Sequence, residues 1–174
     1  MAMPREDFYR KNIMKQLTEL EKSYIGGFLD GDGSVNAQIV RRKDYVLKFQ
    51  IRVSVTFFQS TKRKWFLILL KKKLKMGTIK NKPDGVSELA IVGADSVCKL
   101  LLVLKPYIFI KKRQTKLVLS IIEKLPQSKR DPRAFLTLCA LVDKFEFLND
   151  SKKRDVTSVT VRKLFKEKGM LELF

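Results

Sequence analysis

The chain has 174 residues, of which 45% are hydrophobic, and this is enough for one domain with a substantial core. Its 37 lysines and arginines outnumber its 18 aspartates and glutamates and give a net charge of +19. An excess of this size predicts a polyanionic partner, with nucleic acid favoured over an anionic membrane, although a basic ribosomal or chromatin protein would share it. The chain has no histidine, which excludes histidine-dependent nucleases and Ser-His-Asp hydrolases and leaves carboxylate–metal chemistry as the main catalytic option.

The sequence carries no sign of membrane insertion, secretion or a disulfide framework. No apolar run reaches the roughly 18 residues of a membrane-spanning helix. Residues 1–17, a weakly helical leader, mix acids with bases and lack the apolar region of a signal peptide. Cys98 and Cys139 each lie among apolar neighbours, at a spacing that suggests neither a metal site nor a disulfide. Both are therefore expected to be buried free thiols.

The first clear element is a helix that begins with a capping box. Thr18 and Glu21 stand at the N-cap and third positions of that box and predict a helix over residues 19–29. Gly26 and Gly27 lie in its middle, where each glycine costs about 1 kcal/mol relative to alanine. Because the absence of side chains lets another backbone come close, the pair should have a packing reason. The alternative is that the helix ends there, but the apolar sequence that follows argues against it.

Two acids, Asp30 and Asp32, follow this helix and are separated by Gly31. Carboxylates are disfavoured at the C-terminal end of a helix, by about 0.3–1 kcal/mol at a surface, because the helix dipole is negative there. A nearby cation would offset this effect. A divalent metal ion is the natural candidate.

From Ser34 the hydrophobic period changes from helical to two. Apolar residues alternate with polar ones up to a basic turn at residues 41–44, and again over residues 45–57, where Tyr45 shares the core-facing phase. Two such segments predict a long antiparallel hairpin. Its other face carries Gln, Asn, Arg, Lys, Ser and Thr, the side chains that read base edges and phosphates. We expect a nucleic-acid face there, with an ordinary solvated sheet face as the alternative.

The rest of the chain predicts a helix, a second hairpin and then further helices. The helix after the first hairpin, residues 61–75, is expected to bury five apolar side chains and to expose lysines on its other faces. The five are Trp65, Phe66, Ile68, Leu69 and Leu74. The second hairpin joins residues 78–82 to 86–92, and the later helices are expected over 94–105, from after Arg113 to Leu125, over 133–148 and over 157–168. The order predicts an α+β fold in which helices cover one side of an antiparallel four-stranded sheet.

Residues Ile25–Gly33 resemble the nine-position signature of the LAGLIDADG homing endonucleases. Other features agree in register: the αββαββα order, Gln59 followed by Lys62–Phe66, Pro106 and Lys111 before the fifth helix, and Asn149–Lys152 near the end. The resemblance implies a homing-endonuclease-like fold, with a saddle-shaped sheet and C-terminal helices. It also implies a single domain over residues 1–174, with the leader at 1–17 and the C-terminal helices at 126–174.

Only one copy of the signature is present, and family members with one copy are homodimers. The resemblance implies that two motif helices pack together at an interface formed by Tyr24, Gly26, Gly27 and Asp30. Pairing would bring together two Asp32 carboxylates and two Gly31 carbonyls, which are hard oxygen ligands suited to Mg²⁺, with Mn²⁺ as a substitute. Asp30 is expected to orient the helix ends and not to bind the metal.

The resemblance also assigns three further residues to the catalytic site. Gln59 would position the attacking water, while Lys111 and Arg63 would stabilise charge at the scissile phosphate. The alternatives are a satisfied amide at the end of a strand for Gln59, and a phosphate clamp without a catalytic part for the two cations.

The positions that match the family's DNA-reading surface lie on both hairpins and in the C-terminal loop. They are Asn36, Gln38, Val40, Arg42, Asp44, Tyr45, Gln50, Arg52, Thr56, Lys80, Lys82, Ala90, Lys152, Lys153 and Arg154. Val40 and Asp44 depart from the commonest polar readers, and Asp155 is an acid beside the basic loop.

These observations predict a Mg²⁺-dependent, site-specific double-strand DNA endonuclease of the intron-homing type, acting as a homodimer on a long, nearly palindromic target. Such an enzyme is expected in the organelle that encodes it, a chloroplast or mitochondrion. The alternatives are a non-cleaving DNA-binding regulator, an RNA maturase with the same fold and, less specifically, a structural RNA-binding protein.

Overall fold

The structure, a computed structural model, describes residues 17–150 and 154–171 and divides into two compact units. Unit 1 holds the described residues up to Val35 together with Ser54–Thr115, and unit 2 holds Asn36–Val53 with the described residues from Lys116 onward. The assignment of a single domain over the whole chain stays a prediction. All of the leader except Leu17 lies outside the described residues.

The elements follow the predicted order. The helices are α1 (Glu19–Asp32), α2 (Lys64–Leu74), α3 (Ala94–Leu104), α4 (Lys112–Ser128), α5 (Pro132–Asp143), α6 (Phe145–Leu148) and α7 (Ser158–Glu167). The strands are β1 (Gly33–Arg41), β2 (Phe49–Ser60), β3 (Thr78–Asn81) and β4 (Val86–Val92), and short 3₁₀ turns cover Thr61–Arg63 and Lys105–Tyr107. None of the described helices is long and apolar enough to cross a membrane.

The four strands form one sheet in the order β1-β2-β4-β3, which leaves β1 at an edge. Strand β4 runs antiparallel to both of its neighbours, with Ser54 of β2 opposite Val92 and Thr78 of β3 opposite Ala90. The α+β class and the αββαββα order are confirmed.

Helix α1 begins as predicted and ends later. The Thr18 amide donates to Glu21 Oε2 over 2.8 Å, and the Glu21 amide donates back to Thr18 Oγ1 over 3.2 Å, which confirms the capping box. The helix continues to Asp32, three residues beyond the predicted end, so both acids of the signature belong to its last turn.

The prediction for the buried face of α2 is partly wrong. The helix buries Leu67, Leu70 and Leu74, whereas Trp65, Ile68 and Leu69 are 59%, 51% and 55% exposed. The apolar run from Trp65 to Leu70 has no polar interruption, so its periodicity cannot select one face. The buried residues instead follow the spacing of a single helical stripe.

Strand β2 begins at Phe49 and not at Tyr45 as predicted. The Lys48 amide donates to the Tyr45 carbonyl over 2.9 Å, and Lys48 adopts a left-handed φ of 60°, which closes a turn before the strand. Tyr45 is consequently in the loop and partly exposed, not in the core. From Leu47 the predicted alternation holds, with every second residue to Phe57 buried.

In unit 2, aromatic rings join the hairpin and the C-terminal helices in one core. Phe49 and Phe135 each lie 6.2 Å from the ring centroid of Phe165. Asp131 caps the start of helix α5, since its Oδ1 accepts the Arg133 and Ala134 amides at 2.9 and 3.1 Å. The helix predicted over 133–148 is in fact two helices, α5 and α6, and α4 continues past the predicted Leu125 to Ser128.

Cys98 and Cys139 are both thiols and not half-cystines, and their burial differs. Cys139 is buried, and burial raises the pKa of its thiol to about 12. Cys98 is only half-buried, so the predicted burial is confirmed for Cys139 alone.

Candidate functional site

The two acids at the end of α1 have different surroundings in unit 1. Asp30 is buried, and its Oδ2 accepts the amides of Phe109 and Ile110 at 2.7 and 3.1 Å while its Oδ1 accepts the Lys111 amide at 3.0 Å. The Lys111 ammonium also donates to the backbone carbonyl of Asp30. The carboxylate of Asp30 therefore holds the loop that carries Lys111, and the predicted orienting role acts on this loop within the chain.

Asp32, by contrast, is exposed at the last position of α1. Its carboxylate makes no hydrogen bond or ion pair with any residue that the structure describes, and no basic residue lies in the last turn of the helix. The helix dipole disfavours a negative charge at this place. The Lys111 ammonium at the Asp30 carbonyl offsets part of this penalty, and a cation supplied from outside the chain would offset the rest.

The donor atoms at this end of α1 fit a hard divalent cation. The Asp32 carboxylate and the backbone carbonyl of the adjacent, exposed Gly31 are oxygen donors of the kind that Mg²⁺ and Ca²⁺ accept. No group of three or more metal-ligating side chains occurs in the described part of the chain. A complete coordination shell would thus need ligands from a second chain, a phosphate or water.

Gln59 and Arg63 are brought together as the sequence analysis expects. The Gln59 Oε1 accepts the Arg63 Nε and the Ser60 amide, each over 2.9 Å. The amide oxygen is therefore engaged within the chain, and the NH₂ group of Gln59 is the part suited to contact water or a phosphate. Arg63 is exposed, and four of its five N–H groups do not take part in this bond.

An aromatic cluster packs together the elements that carry these residues. Phe28 of α1 stacks parallel on Phe57 of β2 with centroids 5.8 Å apart, and it meets the edge of Phe66 of α2 at 5.0 Å. Helix α1 with Asp32, strand β2 with Gln59 and helix α2, which directly follows Arg63, are therefore packed around Phe28. Asp30 ties Lys111 to α1.

The glycine pair of α1 divides into one buried and one open position. A Cβ on Gly26 would lie 2.7 Å from Tyr107 Cβ and 2.8 Å from the Tyr107 carbonyl oxygen, closer than real contacts. A Cβ on Gly27 would meet no atom within 4 Å. The close approach expected for Gly26 is thus made within the chain, and only Gly27 is open to a partner helix.

Unit 1 also presents an exposed apolar face that the sequence analysis did not find. We call it the α1–α2 face, and its exposed members are Leu20, Tyr24, Trp65, Ile68 and Leu69. An open groove of about 370 Å³ lies in it, bordered by Ile25, Phe66 and Leu70 among others. The sequence predicts core positions for three of its members, Trp65, Ile68 and Leu69. An uninterrupted apolar run does not distinguish a helix face in the core from one at an interface.

The reading positions of unit 2 are partly occupied by contacts with other side chains. Arg42 donates two hydrogen bonds to Asp44, at 3.0 and 2.9 Å, and its guanidinium lies 5.3 Å from the Tyr45 ring centroid. The hydrogen bond from Arg42 lowers the pKa of Asp44 and in turn raises that of Arg42. Gln38 and Arg52 are exposed, and Val40 and Gln50 are half-buried.

Arg154 faces β1 and not a solvent-exposed phosphate position. Its Nη1 donates to the Ala37 carbonyl over 2.7 Å, and its Nη2 donates to Asn36 Oδ1 over 3.1 Å. Both hydrogen bonds direct the guanidinium of Arg154 toward β1, and its contact with the DNA backbone stays a prediction. Lys152 and Lys153 lie outside the described residues.

The predicted DNA-reading positions of unit 1 also differ in their side-chain partners and in their exposure. Lys82 forms an ion pair with Glu88 at 2.9 Å and lies 4.8 Å from the Phe58 ring centroid. Lys80 is exposed, whereas Thr56 and Ala90 are half-buried and face each other across β2 and β4. Lys80 is thus the better placed of the two lysines to contact a phosphate.

The comparison with protein families connects this geometry to known proteins. The sequence profile described as "LAGLIDADG endonuclease" matches residues 25–122, more than half of the chain. The chain belongs to the LAGLIDADG endonuclease family. The matched region includes Asp30, Asp32, Gln59, Arg63 and Lys111, so the site described above lies within the family domain.

Two curated relatives agree with this assignment. The DNA endonuclease I-CvuI of Chlorella vulgaris is 45% identical over 151 residues, which are 87% of this chain and 93% of the relative. The DNA endonuclease I-CreI of Chlamydomonas reinhardtii is 40% identical over 139 residues, which are 80% of this chain and 85% of the relative.

Solved structures are similar as well. One is I-CvuI in complex with the I-CreI target, with the DNA uncleaved in the presence of Mg. Its TM-score is 0.82 at 44% identity, and the match covers 87% of this LAGLIDADG chain and 96% of the I-CvuI chain. I-CvuI with its own target in the presence of Ca has a TM-score of 0.82 and 43% identity, over 91% and 98% of the two chains. The archaeal I-Vdi141I–DNA complex, at 19% identity, shares the fold with a TM-score of 0.75 over 87% and 98%.

Proposed function

We propose that this LAGLIDADG endonuclease cuts both strands of a long, nearly palindromic DNA site as a homodimer, with divalent metal ions held by Asp32. The chain is a DNA-cleaving hydrolase, in keeping with its family and its two relatives. The observation that carries the detailed proposal is the exposed Asp32 carboxylate, which ends α1 without a partner among the described residues. A helix end that bears an uncompensated charge beside a held lysine is suited to bind a cation and a phosphate together.

The residues of one chain divide the chemistry between them. Asp32 and the Gly31 carbonyl bind the metal, for which Mg²⁺ is the proposed ion and Mn²⁺ a substitute. When bound, such ions activate water and stabilise the leaving oxygen in phosphodiester hydrolysis. Lys111, held by Asp30, places its ammonium at the same end of α1 to stabilise charge on the phosphate. Gln59 orients water through its NH₂ group, and Arg63 both holds the Gln59 oxygen and binds the phosphate.

The α1–α2 face supports a homodimer. It exposes Tyr24, Trp65 and other large apolar side chains to solvent, and exposed patches of this kind mark interaction surfaces. Gly27, which has open space above it, adjoins this face and lets a second α1 come close. A two-fold pairing also brings a second Asp32 to the metal site, which one chain leaves incomplete.

The polar faces of the hairpins are proposed to read the DNA. A strand rises about 3.3 Å per residue and a duplex about 3.4 Å per base pair, so one strand can follow the major groove over its length. Two copies would then read two half-sites of a nearly palindromic target. The relatives come from Chlorella vulgaris and Chlamydomonas reinhardtii, and we propose that this enzyme acts in the organelle that encodes it.

A non-cleaving regulator or an RNA maturase is the less favoured function, because neither needs an exposed carboxylate at the end of α1.

A cleavage selection tests the proposal directly. Purified protein is incubated with a pool of partly palindromic duplexes in Mg²⁺, Ca²⁺ or EDTA, and cut and retained molecules are sequenced separately. The proposal predicts one cut site of about two helical turns in Mg²⁺ and none in EDTA. Specific retention without cutting in any metal would contradict it and favour the regulator, and a repeat with intron RNA would test the maturase.

A further inference from the structure

In unit 2, the side-chain amide of Asn36 is held from one side by two other residues. Asn36 Oδ1 accepts the Arg154 Nη2 over 3.1 Å and the Asn149 Nδ2 over 3.3 Å. Arg154 is at the same time anchored to β1, because its Nη1 donates to the Ala37 carbonyl over 2.7 Å. Because β1 is an edge strand with a neighbouring strand on one side only, its backbone carbonyls include some that a side chain can reach.

The chemistry of arginine fixes which way the Asn36 amide points. A guanidinium has five N–H donors and no acceptor, so the atom of Asn36 that faces Arg154 must be the oxygen. The reversed amide would place its NH₂ group against the cationic guanidinium and lose the hydrogen bond from Arg154. The NH₂ group of Asn36 therefore lies on the other side of the amide, away from Arg154 and Asn149.

This arrangement is costly for Arg154, which suggests that it serves more than packing. Burial lowers the pKa of its guanidinium, and the charges of Asp143 and Glu146 only oppose that shift. Its Nε is buried and has no hydrogen-bond partner within the described structure. An unsatisfied buried donor is destabilising, yet the charged guanidinium is directed at an amide oxygen and a carbonyl.

We infer that Arg154 is a positioning residue that makes Asn36 a donor-only reader of the DNA base edge. The inference rests on the proposed DNA-binding function of the β1 face. An asparagine with both groups free pairs with adenine through a donor and an acceptor together. With its oxygen engaged, Asn36 offers only N–H groups, which guanine O6 or N7, thymine O4 and adenine N7 accept. Cytosine offers only an amino donor in the major groove and is rejected.

Site selection with four proteins tests this inference. Wild type, Asn36→Ala, Arg154→Ala and Arg162→Ala are each used to select bound duplexes from a randomised pool in Ca²⁺. Arg162 is an exposed arginine of α7, so its removal is the matched control for the loss of one positive charge. The Asn36→Ala protein identifies the base position that Asn36 reads.

At that position, the wild type should disfavour cytosine by about tenfold, within the range of a good base contact. Arg154→Ala should reduce this preference to below about threefold while leaving other positions unchanged, and Arg162→Ala should leave it intact. A purely structural role for Arg154 would weaken binding at all positions alike. In the Asn36→Asp protein, one carboxylate oxygen can still pair with Arg154 and the other is an acceptor. The base preference of this protein should therefore move to cytosine and adenine, which carry amino groups.

The possible failures are distinguishable. If Arg154→Ala keeps the wild-type preference at the position that Asn36→Ala relaxes, the inference is wrong and the proposed function stands. If Asn36→Ala relaxes no position, Asn36 is not a reader and the inference fails. If the wild type itself selects no sequence, the proposed function fails first.

Discussion

The end of α1 and the reading surface of unit 2 both carry charged side chains, but they use them differently. At the end of α1, Asp30 accepts three backbone amides while Asp32, two residues later, has no partner among the described residues. On the reading surface, Arg42 is paired with Asp44 and the oxygen of Asn36 is held by Arg154. The helix end buries one acid under three amides and leaves the other exposed. On the proposed reading surface, such pairings limit the groups that each side chain could offer to a base.

The largest expected effect concerns Asp30. Asp30→Ala removes the acceptor for three amides and should lower the free energy of unfolding by about 3–5 kcal/mol, because buried donors are left without partners. Urea unfolding monitored by circular dichroism measures this change. Asp32→Ala is the matched control at the same helix end and should change stability by less than about 1 kcal/mol, with an increase expected from relief of the dipole penalty. Equal losses in both variants would show that the two acids are not divided as described.

The next effect separates the two glycines of α1. Gly26→Ala places a methyl group against the Tyr107 backbone and should destabilise the chain by about 1–3 kcal/mol. Gly27→Ala meets no atom in the chain and should stabilise the isolated fold by about 0.5–1 kcal/mol, while weakening dimerisation. Thermal unfolding and sedimentation velocity of the two variants measure these opposite changes. A Gly27→Ala protein that dimerises as tightly as wild type would remove Gly27 from the interface.

A smaller effect tests the reading surface. Asp44→Ala releases Arg42 and should raise DNA affinity by about two- to fivefold at low salt, with a slope of log K against log salt steeper by about 0.9 if Arg42 then binds a phosphate. Arg42 holds the pKa of Asp44 below its usual value. The pair therefore stays ionised at neutral pH, and the difference between variant and wild type should disappear only as pH falls through that lowered pKa. In an Arg42→Ala background, Asp44→Ala should have no such salt effect, and a persisting one would reject the pairing.

The order of elements could be predicted, and the residues of the candidate site could be located, because their signals are local. The capping box fixes the start of α1, the change of period marks β1, and the signature places Asp30 and Asp32 at fixed spacing. A hydrogen bond also joins Gln59 and Arg63, which the sequence assigns to one site. Each of these signals depends on residues close together along the chain.

The remaining features depend on contacts between residues far apart in sequence. No residue near Gly26 in the sequence indicates that Tyr107 will fill the space above it. Nothing near Asn36 announces that Arg154 will hold its oxygen. The exposed position of Trp65 could not be predicted either, because an interface and a core require the same apolar residues.

The central claim is that Asp32, and not Asp30, supplies the carboxylate for metal-dependent cleavage. The most direct test compares Asp32→Asn with Asp30→Asn on a selected target duplex in Mg²⁺, with binding, cleavage rate and folded fraction measured for each. Asp32→Asn should fold and bind as the wild type does but cut about 10²–10⁴-fold more slowly, since the metal supplies several kcal/mol of transition-state stabilisation. Asp30→Asn should lose mainly folded fraction, and its folded molecules should keep more cleavage than those of Asp32→Asn, with the remaining loss coming from the weakened hold on the Lys111 loop. Cleavage by Asp32→Asn at the wild-type rate would contradict the account.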